Sequence, residues 1–178
     1  MPSRALEIEL ARRMKMGDAG AFDQFATIFG ARLFQYSLAL CRQREDAEDV
    51  VQETLMALQA KLPELREAES VRAWAFRIAK NNCLMQRRKS VFEPERCYKF
   101  AEPQDASLST AALDLLVSLR EILQELPHEL RMVFLLREVE KLSTDEAAHA
   151  LEITADAVKS RLRRARREIR ARLGGTTR

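Results

Sequence analysis

The sequence predicts an all-α protein: two small helical domains joined by a flexible linker, the second domain containing a helix-turn-helix. Three observations carry this expectation. Gly and Pro number only five each among 178 residues, and no run of alternating β-branched residues appears, so little favours strands. Apolar residues recur at steps of three and four through most of the chain, the period of one helix face. That period lapses between Val91 and Thr110, where Pro94 and Pro103 stand among small polar residues. The expected division is therefore a domain over 1–90, a linker over 91–110 and a second domain over 111–178.

In the first domain, Phe22, Phe25, Phe29, Leu33, Tyr36 and Leu40 mark one amphipathic helix. Asp18 is placed to cap it, and Gly30 inside it signals either a kink or a close helix approach. Ala47, Val51, Thr54 and Leu58 form the seam of a second helix, continued by Leu62 and ended by Pro63. Its first turn holds Glu45, Asp46, Glu48 and Asp49, which suits the positive end of the helix dipole. Ser70 then caps a third helix reaching about Ser90, with Val71, Trp74 and Ile78 on one stripe.

The second domain begins near Ala111. Leu113, Leu116, Leu119 or Arg120, and Leu123 mark its first helix, which stops near Pro127. Further helices are expected over 128–141, 144–151 and from Ala155 to about Leu173.

Charge is distributed more tellingly than its net value of +3 suggests. Glu45 to Glu69 holds eight acids and two bases, whereas Lys159 to Arg172 holds eight bases and one acid, Glu168. Two surfaces of opposite sign imply two different partners. No apolar run is long enough to span a membrane, and MPSRALEIEL lacks the features of a signal peptide, so a soluble cytoplasmic protein is expected. Cys41, Cys83 and Cys97 are too few and scattered for a disulfide framework, and are expected to be buried or inert. His128 and His149 lack a nearby catalytic constellation, and no Gly-rich phosphate loop exists. An enzyme is not expected, nor any metal or cofactor.

On a helix, ADAVKSRLRRARREIRARL places Val158, Leu162, Ala165 and Ile169 in one narrow stripe. Ser160, Arg163, Arg164 and Arg167 point the other way, with Lys159 and Arg170 at one flank. Such a helix docks by its seam and offers a basic face outward. Upstream, STDEAAHALEITADAVKSRL reads as helix, short turn, helix. Ala148 offers a small residue at the crossing, Leu151, Ile153 and Val158 fill the space between, and Thr154 is placed as a cap. This is the helix-turn-helix pattern, whose second helix enters the DNA major groove. Lys and Arg there can meet guanine edges or phosphates, and Ser160 can bond to either.

The third helix, VRAWAFRIAKNNCLMQRRK, puts Trp74, Arg77, Lys80 and Asn81 along one side, and Arg87, Arg88 and Lys89 extend the charge. An aromatic ring among bases and amides suits an opened strand, which offers faces to stack on and edges to bond. By itself the helix reads more simply with Trp74 in the core and the arginines solvated.

The order of three segments resembles a bacterial sigma factor of the small, extracytoplasmic-function type. These are EDAEDVVQETLMAL, then VRAWAFRIAKNNCLMQRRK, then LPHELRMVFLLREVEKLSTDEAAHALEITADAVKSRLRRARREI, and the likeness extends from about Phe22 to Leu173. The resemblance implies a protein that binds core RNA polymerase and directs it to promoter DNA, with an anti-sigma factor as controlling partner. It implies that the first domain recognises and opens the −10 element, through Trp74, Arg77, Lys80, Asn81, Arg87 and Arg88. It implies that Lys159, Ser160, Arg163, Arg164 and Arg167 belong to the helix that reads the −35 element. The acidic helix also gains a use. Asp49, Gln52, Glu53 and Met56 lie opposite its seam, and the resemblance makes them the face that docks on a coiled coil of the polymerase's largest subunit. Without the resemblance, a solvated helix face is the simpler reading.

Two departures from the family pattern concern local geometry. Glu152 stands where Gly usually follows the first helix of the helix-turn-helix, and Met85 where an Asp commonly sits late in the third helix. A dimeric helix-turn-helix regulator would leave the acidic helix and the Trp74 helix unexplained. A sigma-like decoy that only sequesters an anti-sigma protein would not need the basic faces.

Overall fold

The computed structural model describes residues 4–41, 43–62, 67, 70–90 and 110–175, with side chains except those of 87–90, 110–117, 174 and 175. Every regular element among these is helical, and the chain divides into units Met1–Cys97 and Tyr98–Arg178. The expected linker lies outside the described residues except for Thr110, which opens a helix.

The first unit contains α1 (Arg4–Lys15), α2 (Ala19–Cys41), α3 (Arg44–Lys61) and α4 (Val71–Ser90). Helix α1 is absent from the sequence reading, and Glu7 explains why. The buried face of α1 is Glu7, Leu10, Ala11 and Met14, so a carboxylate interrupts an otherwise apolar period. Glu7 is fully buried and ion-paired with two arginines, Arg32 of α2 and Arg72 of α4, the latter at 3.1 Å. The charge that hides α1 in the sequence thus joins three helices.

Asp18 caps α2 as expected, accepting from the Ala21 backbone N–H at 3.1 Å. Its carboxylate also accepts from Arg13 Nη2 at 2.7 Å and Nε at 3.0 Å. The Arg13 hydrogen bonds first, then the Ala21 N–H, hold its pKa below the ordinary carboxylate value. The stabilisation this contributes is present above the unfolded-state pKa and is lost as pH falls through the folded one.

Helix α2 supplies the centre of the core. Phe25 and Phe29 stack at 5.0 Å, while Phe29 and Tyr36 meet Phe76 of α4 edge-on at 5.3 and 4.9 Å. The helix runs unbroken through Gly30, where a methyl group would meet only Leu55 Cδ1 at 3.9 Å, an ordinary contact. Close approach therefore does not require glycine there. Gly30→Ala is expected to stabilise this unit by about 0.5–1 kcal/mol, read as a higher urea midpoint by fluorescence of Trp74.

Two seams differ from expectation. In α3 the buried residues are Ala47, Val50, Thr54 and Leu58, so Val50 takes the place assigned to Val51. In α4 the buried face is Arg72, Phe76, Ala79 and Cys83, while Trp74 and Ile78 are only half-buried. The hydroxyl of Ser70, expected to cap α4, donates back to the Glu67 carbonyl at 2.7 Å. Pro63 and Cys97 lie outside the described residues, and Cys41 and Cys83 are buried free thiols.

The second unit contains α5 (Thr110–Glu125), α6 (His128–Phe134), a π-helical turn (Leu135–Val139), α7 (Thr144–Leu151) and α8 (Ala155–Gly175). Ile122 and Leu126 pack with Ile169 of α8, flanked by Leu119, Leu123, Phe134 and Leu173. Buried Arg131 donates to the Leu126 carbonyl at 3.0 Å and to the Gln124 carbonyl, so a cation closes the C-terminal end of α5. The expected helix over 128–141 thus widens into the π turn at Leu135, and Lys141 leaves it with φ 56°.

Ser143 and Glu146 form a reciprocal capping box on α7. Glu152 accepts the left-handed conformation that ends this helix, at φ 58° and ψ 43°. Thr154 caps α8, accepting from the Ala157 N–H at 3.1 Å. All four seam residues expected on α8, Val158, Leu162, Ala165 and Ile169, are buried. The fully buried small residues of α7 are Ala147 and Ala150, while Ala148 is half-buried.

Candidate nucleic-acid and protein interfaces

Three helix faces carry the expected site residues, and each is built differently. On α3, Asp49, Gln52, Glu53 and Met56 are all exposed, opposite the Ala47–Val50–Thr54–Leu58 seam. Met56 is 63% exposed, a large apolar side chain in an acidic setting. It does not stand alone. Gln52 and Met56 line an open groove with Val51 and Leu55, whose far wall is Phe22 and Phe34 of α2. At one end, Arg44 lies over the Phe34 ring at 5.6 Å and pairs with Glu48 at 2.7 Å. Asp49 and Glu53 flank this groove on the solvent side by helix geometry. The sequence pattern places Phe22 on the apolar stripe of α2 but does not single out Phe34, which lies one residue off that stripe; both are half-buried.

On α4, the half-buried Trp74 and Ile78 and the exposed Asn81 and Met85 recur at i, i+4, i+7 and i+11. They form one outward stripe, on the side opposite Phe76, Ala79 and Cys83. Trp74 is therefore not a core anchor, and Arg77 is half-buried beside it. Met85 is 55% exposed where the family pattern has an acid, so the stripe carries no negative charge and is apolar except for the Asn81 amide. Lys80 departs from expectation. It is only 5% exposed, because position 80 lies one turn beyond Phe76 on the inward flank. Its ammonium is not presented with Trp74 and Asn81. The side chains of Arg87 and Arg88 lie outside the described residues.

On α8 the arginines divide into two sets. Arg161 pairs with Glu129 at 2.8 Å, Arg166 with Glu138, and Arg172 with Glu125, fastening α8 to the helices before it. Arg163, Arg164, Arg167 and Arg170 are exposed and, among the described residues, enter no ion pair. Lys159 is exposed and pairs with Asp156 at 3.0 Å, and the exposed Ser160 donates to the Ala157 carbonyl at 3.1 Å. Lys159, Arg163 and Arg167 line a cleft with Arg166, Arg170 and Arg137 of the π turn, open beside Thr144 at the start of α7. Gathered around one cleft, so many cations create a field that attracts polyanions. Sequence alone missed Arg137, which no helical period connects to α8.

Among the described residues, no group of three or more His, Cys, Asp or Glu side chains could hold a metal ion. No helix among the described residues is long and apolar enough to cross a membrane.

Family models match both units: Sigma-70 region 2 over residues 27–92 and Sigma-70 region 4 over residues 116–169. The RNA polymerase sigma factor NccH of Alcaligenes xylosoxydans xylosoxydans is 31% identical, with 97% of each chain covered. The ECF RNA polymerase sigma factor SigM of Mycobacterium tuberculosis is 27% identical, covering 94% of this chain and 85% of that one. Among solved structures, CnrH in complex with the cytosolic domain of CnrY has a TM-score of 0.71 at 27% identity, covering 96% of this chain and 98% of that one. The sigma factor RpoE of Bartonella quintana, bound to the anti-sigma factor NepR, has a TM-score of 0.72 at 25% identity, covering 86% and 96%.

Proposed function

Because the chain belongs to the extracytoplasmic-function (ECF) family of RNA polymerase sigma factors, we propose a division of labour among its three exposed faces. Proteins of this family are initiation factors rather than enzymes: they bind core polymerase and direct it to promoters. In this reading the first unit docks on core polymerase through Asp49, Gln52, Glu53 and Met56, with the Phe22–Phe34 groove receiving apolar side chains of the partner. The same unit meets the opened −10 strand along Trp74, Arg77 and Asn81, with Arg87 and Arg88 continuing the charge. Lys80 has no place in that surface while its side chain is buried. The second unit reads the −35 element through Lys159, Ser160, Arg163, Arg164 and Arg167.

The observation that carries this reading is the sorting of cations on α8. Arginines that only balance charge within a domain would all find acids, as Arg161, Arg166 and Arg172 do. Four others in the same helix face solvent unpaired among the described residues, beside a helix-turn-helix crossing. Phosphate and base-edge contacts are the use that fits four clustered, solvent-facing guanidinium groups.

The protein works in the cytoplasm in this reading, held inactive by an anti-sigma factor until a signal arrives. Support comes from the two solved relatives, one bound to the cytosolic domain of CnrY and the other to an anti-sigma factor.

Run-off transcription with purified core polymerase and a library of promoter fragments tests the function as a whole. For the docking face, Asp49→Lys with Glu53→Lys is expected to weaken core binding at least about tenfold, roughly 1.4 kcal/mol. Helical circular dichroism should be unchanged, since both residues are exposed. Wild-type affinity in the double variant would remove α3 from the interface.

A further inference from the structure

Asp156 is out of place on a basic helix. It lies in the first turn of α8, between Ala155 and Ala157, which carry no side-chain hydrogen-bonding group. Its side chain is 90% exposed, and its Oδ1 accepts from Lys159 Nζ at 3.0 Å. An acid in a first turn suits the helix dipole, which explains why it is tolerated by the fold. Towards a polyanion, however, the same charge is repelled, and an alanine would serve α8 better unless the carboxylate had a target.

Helix-turn-helix geometry brings the first residues of the second helix to base edges in the major groove. An ionised carboxylate only accepts hydrogen bonds. Guanine and thymine offer it no donor in that groove. Adenine offers an amino group beside an acceptor, N7, that would face the second carboxylate oxygen. Cytosine offers the N4 amino group without that acceptor and is the ordinary partner of Asp and Glu. Lys159, within 3.0 Å of the carboxylate, can in turn donate to the O6 or N7 of a guanine on the same or the adjoining pair.

We infer that Asp156 is a specificity-determining residue of this protein, selecting cytosine at one position of the upstream promoter element, with Lys159 oriented by it towards guanine. The inference rests on the −35 reading of α8 and adds to it a residue, a base and a sign. Asp156 lowers general affinity for DNA and raises discrimination.

The experiment uses the full chain bound to core polymerase, selecting from promoter fragments with a constant −10 region and a randomised upstream element. Wild type, Asp156→Ala and Asp156→Asn are compared, with helical circular dichroism as a check on folding. Wild type is expected to enrich cytosine at one position by about 5- to 20-fold. The alanine variant should flatten that position, relax any guanine preference that Lys159 carries on the same or the adjoining pair, and bind the other sequences more tightly. The asparagine variant should move the preference to adenine, because an amide can donate to N7 and accept from N6 together. If all three enrich the same bases and differ only in overall affinity, Asp156 is a helix-end charge and the inference fails. If wild type enriches no upstream sequence, the −35 reading of α8 fails, and this inference falls with it.

Discussion

Replacing Glu7 by alanine is expected to destabilise the first unit by about 3–5 kcal/mol, a large part of the stability of a small domain. The side chain is fully buried, and the change removes the carboxylate that pairs with both Arg32 and Arg72. Arg72 is itself buried, so the change takes an acid away from a guanidinium that water does not reach. Removing one partner of a buried ion group costs far more than the group contributes relative to an apolar filling of similar shape. Glu7→Leu combined with Arg32→Met and Arg72→Met should therefore recover most of the loss. The chain's single tryptophan, Trp74, lies in this unit, so urea unfolding followed by its fluorescence isolates the effect. A wild-type midpoint in Glu7→Ala would mean that the ion group contributes nothing.

The other large effect is expected on DNA. Replacing Arg163, Arg164 and Arg167 together by alanine should weaken promoter binding of the polymerase complex by at least about 100-fold. Base contacts are worth about 1–3 kcal/mol each, and each lost phosphate contact lowers the salt slope by about 0.9. The three side chains are exposed and point away from the buried seam, so α8 should stay docked. Lys159 or Arg163 singly should relax preference at one position, whereas Arg167 or Arg170 should weaken every sequence and reduce the salt slope. Arg161→Ala with Arg172→Ala is the matching control. Those arginines are tied to Glu129 and Glu125, so the pair should cost at most about 1 kcal/mol of stability per ion pair and leave promoter affinity nearly unchanged. Wild-type affinity, preference and salt slope in the triple variant would remove the basic face from promoter recognition.

By itself the sequence determined the all-helical class, the helix-turn-helix, and the orientation of α8. In α8 every alternative face is saturated with charge, so only the Val158–Leu162–Ala165–Ile169 stripe could be turned inward. The caps by Asp18 and Thr154 were legible from a short acceptor placed before an apolar period, whereas Ser70 in the same kind of position turns back to the Glu67 carbonyl. Helix α4 is the opposite case. Apolar residues lie on both of its sides, and their period does not say whether Trp74 and Ile78 or Phe76 and Ala79 meet the core. Only the rings of Phe29 and Tyr36, brought from α2 to Phe76, decide it. The same ambiguity exchanged Val50 for Val51, adjacent β-branched residues of equal hydrophobicity. Tertiary structure alone supplied the partners of buried charge. A carboxylate in the seam of α1 conceals that helix until two arginines from distant positions neutralise it, because burying an ion becomes tolerable only once its counter-ions are in place. On α8, likewise, sequence counts eight bases, but only the acids Glu125, Glu129 and Glu138 on preceding elements separate the arginines that fasten the helix from those left facing solvent.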